Sequence, residues 1–579
     1  MFVARLIDNA ARFGDRPAIV HCQLTGAERT ETAVSYAELD RDARAAAAWL
    51  RVRVRAGSRV LLAYPSGVEF LRAFLGCLYA GVLPVPVPLP ERHRRNVSRS
   101  AAIVIDADVS MVFTDACNRD LVSQWLSDEG LVALAVIASD SLPRGDDAAD
   151  SSPSAVDADT SAFLQYTSGS TSEPKGVLIS HGNLAANLAL GADLLDVGAG
   201  TTFCSWLPVY HDMGLIAMTL LPLYLGGTTV VCSPADFMKR PVSWLELIAA
   251  HRAQVAAAPN FGYELCARRV TDKQAAGLDL SCWQRACNGA EPIDPATLRR
   301  FADRFAGNGF RPEALVAGYG MAESTLFVAG SRPGKPPVVT AVDAAALERD
   351  ELVPATGGPE IVGCGRTADM DLLIVDPHSA QVRPDGRVGE IWLRGPSVAQ
   401  GYWRRAAETR DGFGGRTACG QEGFLRTGDL GVLRDGELYI TGRLKDMMIV
   451  NGRNIYPQDV EREVRTLHPA VAELPSCVFS VPAPAERLVL VAEVRTRNVA
   501  PEALAELAAA LRTGLTGRLG LGAVDVVLLR PGRIRKTTSG KIQRAAVREL
   551  FMSNQLDAVH EALGEQTRLR FRGTGQVVA

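Results

Sequence analysis

LQYTSGSTSEPKGVLIS, residues Leu164 to Ser180, is the stretch of this chain that decides its fold. The apolar run at its start predicts the end of a buried strand, and Val177 to Ile179 predict a second strand after a loop. Hydroxyl and backbone N–H groups around Gly169, with the charge of Lys175, suit the phosphates of a nucleotide. The spacing is not that of a Walker A loop, and a strand follows where that loop needs a helix. On the residues alone, an ordinary surface loop is the alternative.

The composition indicates a soluble protein of at least two domains. A chain of 579 residues is too long for one hydrophobic core. Its 62 basic and 65 acidic residues give a net charge of −3, so nothing favours nucleic acid as a partner. The eleven cysteines are scattered without a C-x-x-C pair. This usage predicts reduced thiols in a cytoplasm instead of a zinc site or a disulfide framework.

Two segments bear on targeting and membranes. Arg5 and Asp8 interrupt the N-terminal apolar pattern that a signal peptide would need. Leu215 to Cys232 is the longest apolar run, but Pro222 and a Gly-Gly pair break it, so a buried helix followed by a strand is predicted. No integral membrane segment is expected.

Alternating helical and strand patterns predict an α/β domain with a largely parallel sheet in the first part of the chain. A second, smaller α+β domain is predicted near the C-terminus. The predicted elements are a helix at Tyr36–Arg53, a strand at Val60–Ala63, a helix at Gly67–Ala80, a strand at Val82–Val87, and then a helix at Pro457–Leu467, a strand at Leu488–Val494 and a helix at Glu502–Leu519.

The string YTSGSTSEPKGV resembles the phosphate-loop signature of the adenylate-forming superfamily, which includes acyl-CoA synthetases, peptide-synthetase adenylation domains, luciferases and fatty acyl-AMP ligases. The resemblance implies ATP and Mg²⁺, a large N-terminal adenylation domain over residues 1–442 and a small mobile C-terminal domain over residues 443–579. It also implies that the loop residues hold the triphosphate, namely Thr167, Ser168, Gly169, Ser170, Thr171 and Lys175.

YGMAESTL, residues Tyr319 to Leu326, is the second strong motif. In the family its tyrosine stacks on adenine and its glutamate binds Mg²⁺. The chemistry agrees, because Glu323 is a hard oxygen donor of the kind that Mg²⁺ prefers. Taken alone, a glutamate at this place is more often a carboxylate at a helix N-terminus than a metal ligand. The remaining nucleotide contacts implied by the resemblance are Gly289, Ala290 and Glu291 in NGAEPI, Gly320, Met321 and Ala322 beside the tyrosine, Asp429 on the ribose hydroxyls, and Arg443 on ribose or phosphate.

WLPVYHDMGL, residues Trp206 to Leu215, points to the substrate. It resembles a motif of fatty acyl-AMP ligases and lacks the Phe-Asp pair by which amino-acid-activating domains hold an α-amino group. The resemblance therefore implies a carboxylic acid with an apolar tail, with His211 in a catalytic role. Met213, Gly214 and Phe261 are the implied acyl-pocket residues, and core packing is the alternative for Phe261.

The C-terminal motifs complete the resemblance. IRKTTSGKIQR, residues Ile534 to Arg544, supplies Lys541 as the match to the family's catalytic lysine. Lys445 lies at the family's hinge position. Gly389 to Trp403, GEIWLRGPSVAQGYW, matches a strand and turn to which a structural role is given.

Residues 331–361 resemble an insertion that fatty acyl-AMP ligases carry and acyl-CoA synthetases lack. A disordered loop is the alternative, but the segment is more apolar than disorder favours. It is expected to pack on the large domain through Leu347, Leu352 and Val353, and to bias the rotation of the small domain so that little acyl-CoA is made.

These observations predict a fatty acyl-AMP ligase that converts a fatty acid and Mg·ATP to acyl-AMP and pyrophosphate. The carboxylate is already ionised at neutral pH, so no general base is required. The acyl group is then expected to pass to the phosphopantetheine thiol of a carrier protein in trans, either an acyl carrier protein or a carrier domain of a polyketide or peptide synthetase. A long-chain fatty acyl-CoA ligase is the main alternative; a luciferase-like oxygenase and a non-catalytic nucleotide-binding regulator are others.

Overall fold

The fold is given by a computed structural model that describes residues 1–25, 28–90, 99–142, 152–167, 174–450, 453–483, 485–495, 500–519, 524–536 and 542–573. Among these residues, an eight-stranded sheet dominates the N-terminal part. Its six inner strands run parallel, and an antiparallel strand closes each edge. In spatial order the strands are Phe327–Gly330, Leu315–Gly320, Arg285–Asn288, Val255–Ala258, Thr202–Ser205, Thr228–Val231, Pro17–Thr25 and Glu28–Ser35.

A second, smaller sheet is parallel throughout, which confirms the α/β prediction. The phosphate-loop hairpin follows the second sheet in sequence and pairs Ser161–Tyr166 with Gly176–Ser180. Parallel strands buried on both faces need near-continuous apolar sequence, and Leu61, Leu62 and Val85 are fully buried. The strands of the second sheet are Leu83–Val87, Arg59–Ala63, Met111–Thr114 and Val136–Ala138.

Helices pack against these sheets, and local capping explains where several begin. The Ser35 side chain accepts from the Glu38 N–H while the Glu38 side chain accepts from the Ser35 N–H, which starts the helix Tyr36–Arg51. Gly81, with a φ of 69°, ends the helix Val68–Ala80 before the strand Leu83–Val87. The α-helices before residue 331 are Phe2–Arg12, Tyr36–Arg51, Val68–Ala80, Arg99–Ala107, Arg119–Asp128, His181–Leu195, Leu221–Leu225, Pro234–Lys239, Val242–Ala250, Asn260–Arg269, Asp272–Ala275 and Pro295–Phe305.

The predicted buried run after Leu215 folds as a π-helix, Met213–Leu220, that continues into Leu221–Leu225 and the strand Thr228–Val231. The prediction of a buried helix and strand is therefore confirmed. Within the described ranges, every helix is too short or too polar to cross a bilayer.

An antiparallel four-stranded sheet follows the large sheet and leads to the C-terminal part. The insertion enters this region as a strand pair, Val339–Ala341 with Glu360–Val362, and a short helix, Ala344–Leu347. The sheet strands are Asp371–Val375, Gly389–Arg394, Leu425–Arg434 and Glu437–Arg443, and the helix Ala406–Phe413 packs beside them.

The C-terminal part has its own mixed sheet and its own cores on the two sheet faces. The predicted helix Pro457–Leu467 is confirmed at both ends. The remaining elements are the strands Met448–Val450, Arg453–Ile455, Ser476–Ala483, Ala485–Glu493, Val524–Leu529 and Ala558–Ala562, and the helices Pro469–Ala472, Pro501–Leu519, Arg544–Met552 and Glu565–Arg572.

Candidate active site

The hairpin that carries the phosphate loop is built as the sequence predicts. The Thr167 N–H donates to the Lys175 carbonyl at 3.2 Å, which joins the two ends of the loop. Gly176 is required there, because a Cβ would lie 2.8 Å from Cζ of Tyr166. The loop residues Ser168, Gly169, Ser170 and Thr171 lie outside the described residues.

Tyr166 anchors the base of this loop. Its hydroxyl donates to Oδ2 of Asp106 at 2.6 Å, and Arg405 donates to Oδ1 of the same carboxylate at 3.0 Å. Burial and the neighbouring carboxylate raise the pKa of Tyr166. The loop is therefore tied at one point to the helix Arg99–Ala107 and to the segment that follows Trp403.

Glu323, the predicted metal ligand, lies in a single 3₁₀ turn, Ala322–Ser324. Its Oε1 accepts a hydrogen bond from the Tyr402 hydroxyl at 3.0 Å. The Nζ of Lys175 lies 5.2 Å from the centre of the same tyrosine ring. Desolvation raises the pKa of Glu323. The structure thus gathers the predicted metal carboxylate and the predicted phosphate lysine around one aromatic side chain.

Asp429, the predicted ribose carboxylate, is 6 % exposed and lies between two other predicted nucleotide residues. Tyr319 donates its hydroxyl proton to Oδ2 at 2.8 Å, and Nε of Arg443 donates to Oδ1 at 3.1 Å. Asp429 and Arg443 are direct cross-strand partners, which fixes this pair in register. The carboxylate raises the pKa of Arg443. Asp429 therefore contacts both of the other predicted nucleotide residues.

The predicted adenine segment follows the strand Arg285–Asn288. A Cβ on Gly289 would lie 2.9 Å from the Gly318 carbonyl oxygen, so only glycine allows this approach. Ala290 has a φ of 68°, a conformation that is costly for a residue with a Cβ. The carboxylate of Glu291 accepts the Phe261 N–H at 2.6 Å and so caps the helix Asn260–Arg269. The segment is therefore strained at Ala290 and is fixed by the close approach of Gly289 to Gly318 and by the bond from Glu291 to the neighbouring helix.

The remaining residues of the tyrosine motif shape the turn around Glu323. A Cβ on Gly320 would lie 2.0 Å from the Leu326 carbonyl oxygen. Met321 donates its N–H to that same carbonyl at 3.0 Å, and Ala322 is buried. Gly320 is therefore needed for the close return of the chain after Glu323.

His211 lies at the start of the π-helix, on the side predicted for the acyl chain. Its Nδ1 is 2.6 Å from Oδ1 of Asp212, and that oxygen also accepts the Met213 N–H at 2.7 Å. Gly214 is buried, and a Cβ there would lie 2.1 Å from the Pro208 carbonyl oxygen. The turn is thus closed tightly by its own glycine.

Aromatic side chains form the apolar surface beside this turn. Trp206 stacks on Phe237 with ring centroids 3.9 Å apart, and Phe261 meets Trp206 edge-on at 5.8 Å. The helix Asn260–Arg269 thus brings one side of Phe261 into the core, which agrees with the packing alternative as well as with a pocket wall.

The predicted hinge and catalytic lysines belong to the C-terminal half. Lys445 is exposed in a turn after the strand Glu437–Arg443. Lys541 lies outside the described residues, but the ends of its loop are joined by a bridge between Lys536 and Ile542. Arg544 donates to the Val478 carbonyl at 2.7 Å and pairs with Glu461, which anchors the loop's C-terminal end.

One other cluster has the composition of a metal site. Single ligand atoms of Cys22, Glu31 and His251 lie within 4.8 Å of one another. Burial raises the pKa of the Cys22 thiol to about 12, so the thiol is protonated at neutral pH. Arg29 already binds the Glu31 carboxylate at 2.9 Å. A protonated thiol and a neutralised carboxylate are poor metal ligands, and no metal is assigned to this cluster.

Comparison with known proteins agrees with this arrangement. The profile of the AMP-binding enzyme family matches residues 6–403. The chain belongs to this family. The AMP domain described as Disco-interacting protein 2-like matches residues 445–561.

Individual relatives place the chain in the fatty acyl-AMP ligase branch of these AMP-binding enzymes. It is 39 % identical to the medium-chain-fatty-acid–acyl-carrier-protein ligase of Moorena producens, over 92 % of each chain. It is 37 % identical to the long-chain-fatty-acid–AMP ligase of Mycobacterium marinum, over 91 % of this chain and 96 % of that one. The solved fatty acyl-adenylate ligase of L. pneumophila, in complex with acyl adenylate and pyrophosphate, aligns with a TM-score of 0.74 and 33 % identity over 97 % of each chain. The family resemblance of the sequence and the α/β fold with a small C-terminal domain are confirmed.

Sequence reasoning missed one residue of the group around Glu323. Tyr402 was interpreted as part of a purely structural strand and turn, yet it contacts both Glu323 and Lys175. Asp106, which holds the loop through Tyr166, was not singled out either. The signal in the sequence was the tyrosine of GYW, a polar aromatic residue directly after a glycine.

Proposed function

We propose that this AMP-binding enzyme activates a fatty acid as acyl-AMP with release of pyrophosphate, and then passes the acyl group to the thiol of a carrier protein. The proposal rests on two groups of contacts among residues that the sequence predicts to bind Mg·ATP. Glu323 and Lys175 both contact Tyr402. Tyr319 and Arg443 both donate to Asp429. The relatives at 37 % and 39 % identity with fatty-acid ligase names support the substrate class.

The residues around Glu323 fit a magnesium ion. A partly buried carboxylate with one oxygen held by Tyr402 leaves the other oxygen for a ligand. Mg²⁺ is bound in proteins by one or two carboxylates together with substrate phosphates. ATP would supply those phosphates, and the phosphate hairpin would hold them. When bound, the ion would neutralise charge on the phosphate oxygens. Glu323 would be its protein ligand, with ATP as the co-substrate.

The chain's own cations would make the reaction possible. A fatty-acid carboxylate and a polyphosphate are both anionic, so attack at the α-phosphorus needs concentrated positive charge. Lys175 would stand at the phosphates and Lys541 at the reacting groups, with Ser168 to Thr171 supplying loop hydroxyls and N–H groups. No side chain needs to remove a proton, because the carboxylate is already ionised.

Nucleotide recognition would use the second contact group. Asp429 would accept from the ribose hydroxyls while Arg443 and Tyr319 hold its carboxylate in place. Gly289 and Ala290 would let the backbone lie flat against the adenine, with Glu291 capping the neighbouring helix. Gly320, Met321 and Ala322 would line the turn between adenine and Glu323.

The acyl side favours a fatty acid over an amino acid. The carboxylate of Asp212 is engaged by His211 and by the Met213 N–H, so it does not stand ready for an α-ammonium group. Burying that ammonium without a partner would cost several kcal/mol. His211 would orient the substrate carboxylate, and Met213, Gly214 and Phe261 would border the tail.

The second step would need movement of the C-terminal part. We place the boundary at Gly442 and Arg443, with Lys445 in the hinge, so that residues 1–442 form the adenylation domain and residues 443–579 the mobile domain. Tyr456 packs over Gly442, where a Cβ would lie 2.6 Å from its ring. The rotating element would therefore begin at Arg443, the direct cross-strand partner of Asp429.

The insertion is positioned to oppose that movement. Val342, Leu347 and Leu352 are buried in one cluster with Tyr456 of the C-terminal part. Asn454 also donates to Oδ1 of Asp350 at 3.0 Å. Leu347 and Leu352 pack as the sequence predicts, whereas Val353 is 36 % exposed, so its predicted packing is wrong. A Val353 side chain on the outer face contributes little because the chain turns there to pair with Asp343 through its backbone.

Pyrophosphate release tests the proposal. Purified protein with Mg·ATP should release pyrophosphate with dodecanoate and other saturated fatty acids, and much less with amino acids. A phosphopantetheinylated acyl carrier protein added afterwards should become acylated. Turnover with amino acids comparable to that with dodecanoate would contradict the substrate class, and loss of acylation on any carrier in favour of CoA would support the acyl-CoA ligase alternative.

A further inference from the structure

We propose that Tyr402 is a positioning residue that sets Glu323 and Lys175 relative to each other, the hydroxyl acting on the metal carboxylate and the ring on the phosphate lysine. The inference rests on the proposed function for the roles of Glu323 and Lys175. It adds Tyr402 to the residues of the site and gives its hydroxyl and its ring separate roles.

The backbone around Tyr402 joins the two segments that carry these groups. Tyr402 bridges to Val177, and the Trp403 N–H donates to the Gly176 carbonyl at 2.8 Å. Three residues earlier, the Ala399 N–H donates to the Glu323 carbonyl at 2.9 Å. Residues 399–403, here called the strap, therefore connect the turn of Glu323 with the strand after the phosphate loop.

The register of the strap explains why the ring reaches Lys175. Residues directly opposite in an antiparallel pair share a face, and residues two apart on a strand share that face too. Tyr402 lies opposite Val177, so Lys175 is its diagonal neighbour. The Nζ lies 5.2 Å from the ring centroid, within the distance at which a cation is attracted to an aromatic face.

The direction of the side chain is fixed independently of Glu323. The Tyr402 N–H donates to Oγ1 of Thr409 at 3.0 Å, and a Cβ on Gly401 would meet Cγ2 of Thr409 at 2.4 Å. Phe413 packs edge-on against the Tyr402 ring, with centroids 5.3 Å apart. The hydroxyl is thus delivered to Oε1 of Glu323 by a ring that is already held.

A hydroxyl bond to one carboxylate oxygen orients the other. Partners of this kind behind a metal ligand commonly change metal affinity or activity by about 10- to 100-fold when removed. Removing only the hydroxyl should therefore weaken metal binding, while removing the ring as well should also release Lys175. If Tyr402 had only a structural role, both substitutions would lower the stability of the protein, and the loss of metal affinity would not be separable from the release of Lys175.

The test compares Tyr402→Phe with Tyr402→Leu. Mn²⁺ binding in the presence of α,β-methylene-ATP is measured by electron paramagnetic resonance, without turnover, and KM for ATP is measured by pyrophosphate release. Tyr439→Phe is the control, because the Tyr439 hydroxyl likewise meets a side-chain oxygen, Oγ1 of Thr340 at 3.0 Å, but outside the group around Glu323. Thermal unfolding is recorded for every variant.

Tyr402→Phe should bind Mn²⁺ about 10-fold more weakly than wild type with an unchanged KM for ATP. Tyr402→Leu should show the same metal defect and a KM for ATP raised by a further factor of about 2 to 5. In a Glu323→Gln background the effect of Tyr402→Phe on Mn²⁺ affinity should vanish, since the hydroxyl acts through that carboxylate.

Several results would overturn the proposal. Mn²⁺ affinity of Tyr402→Phe within twofold of wild type, or an effect that persists in Glu323→Gln, would remove Tyr402 from the metal site. Equal effects of Phe and Leu on both parameters, or a loss of stability in place of metal affinity, would show a structural role. Failure of the proposed function would give a different result, because wild type would then release no pyrophosphate with any fatty acid. The Mn²⁺ titrations need no turnover, so they would still show whether Tyr402 acts on the metal site.

Discussion

Replacing Asp350 with glycine should loosen the contact between the insertion and the C-terminal part. Asp350 accepts the Asn454 side-chain amide at 3.0 Å, and its own φ is 60°. Glycine removes the acceptor without strain, because both glycine and asparagine tolerate the left-handed region. Asp350→Asn is therefore the matched control: it keeps an oxygen that accepts from Asn454 and keeps the backbone at ease.

The expected size of the effect follows from one hydrogen bond. A partly exposed bond of this type contributes about 1 to 1.5 kcal/mol net. If it favours the domain orientation seen here, its loss shifts the ratio of the two orientations by about 5- to 12-fold. The burial of Leu347 and Leu352 in the same cluster is untouched by Asp350→Gly, so the insertion should stay folded.

The assay is acyl-CoA formation with dodecanoate, Mg·ATP and saturating CoA, divided by acyl-AMP formation in the same mixture. Asp350→Gly should raise this quotient by about 5- to 12-fold, and Asp350→Asn should leave it near wild type. Asn454→Ala should act in the same direction and should not add to Asp350→Gly. An unchanged quotient in Asp350→Gly with normal adenylation, or an equal rise in Asp350→Asn, would refute the reasoning that this contact restrains the domain.

Three further substitutions address the adenylation step. Lys541→Ala should lower acyl-AMP formation by about 10²- to 10³-fold while ATP binding persists; unchanged pyrophosphate release would remove Lys541 from the mechanism. Asp429→Asn should raise KM for ATP by about tenfold, because the ion pair with Arg443 and the charged acceptor are lost, and steady-state kinetics with varied ATP checks this. Gly214→Ala should destabilise the protein by about 1 to 3 kcal/mol, because its Cβ would meet the Pro208 carbonyl oxygen at 2.1 Å; a melting temperature equal to that of wild type would show that the turn yields.

Local sequence pattern was sufficient for much of the fold. The helix Pro457–Leu467 agrees with the prediction at both ends, where Pro457 marks the first turn and apolar residues recur on one face. The phosphate hairpin follows from two apolar runs around a polar loop. Both signals lie within a few residues of the structure that they predict.

Contacts between distant segments could not be predicted in this way. Tyr402 and Glu323 are 79 residues apart, and they meet because the strap bonds to the Glu323 turn through the Ala399 N–H and pairs with Val177 at Tyr402. The contact between Asp350 and Asn454 depends likewise on how the insertion folds onto the antiparallel sheet. Periodicity assigns a residue to a face of its own element, but it does not say which other element that face meets.

Backbone strain was equally hidden. Ala290 and Thr325 adopt φ values of 68° and 64°, although neither residue type favours that region. Ala290 is itself a predicted nucleotide contact and Thr325 follows the predicted metal ligand Glu323 by two residues, and at such sites the surrounding structure holds the chain in costly conformations. Glycine is the residue that usually adopts a positive φ, so an alanine and a threonine gave no sign of this conformation in the sequence.

Mass spectrometry of the products from dodecanoate and Mg·ATP, with and without CoA, tests the central claim most directly. A fatty acyl-AMP ligase should give dodecanoyl-AMP and pyrophosphate in both mixtures, with dodecanoyl-CoA as a minor product. Dodecanoyl-CoA formed as fast as pyrophosphate, or no dodecanoyl-AMP in either mixture, would contradict it.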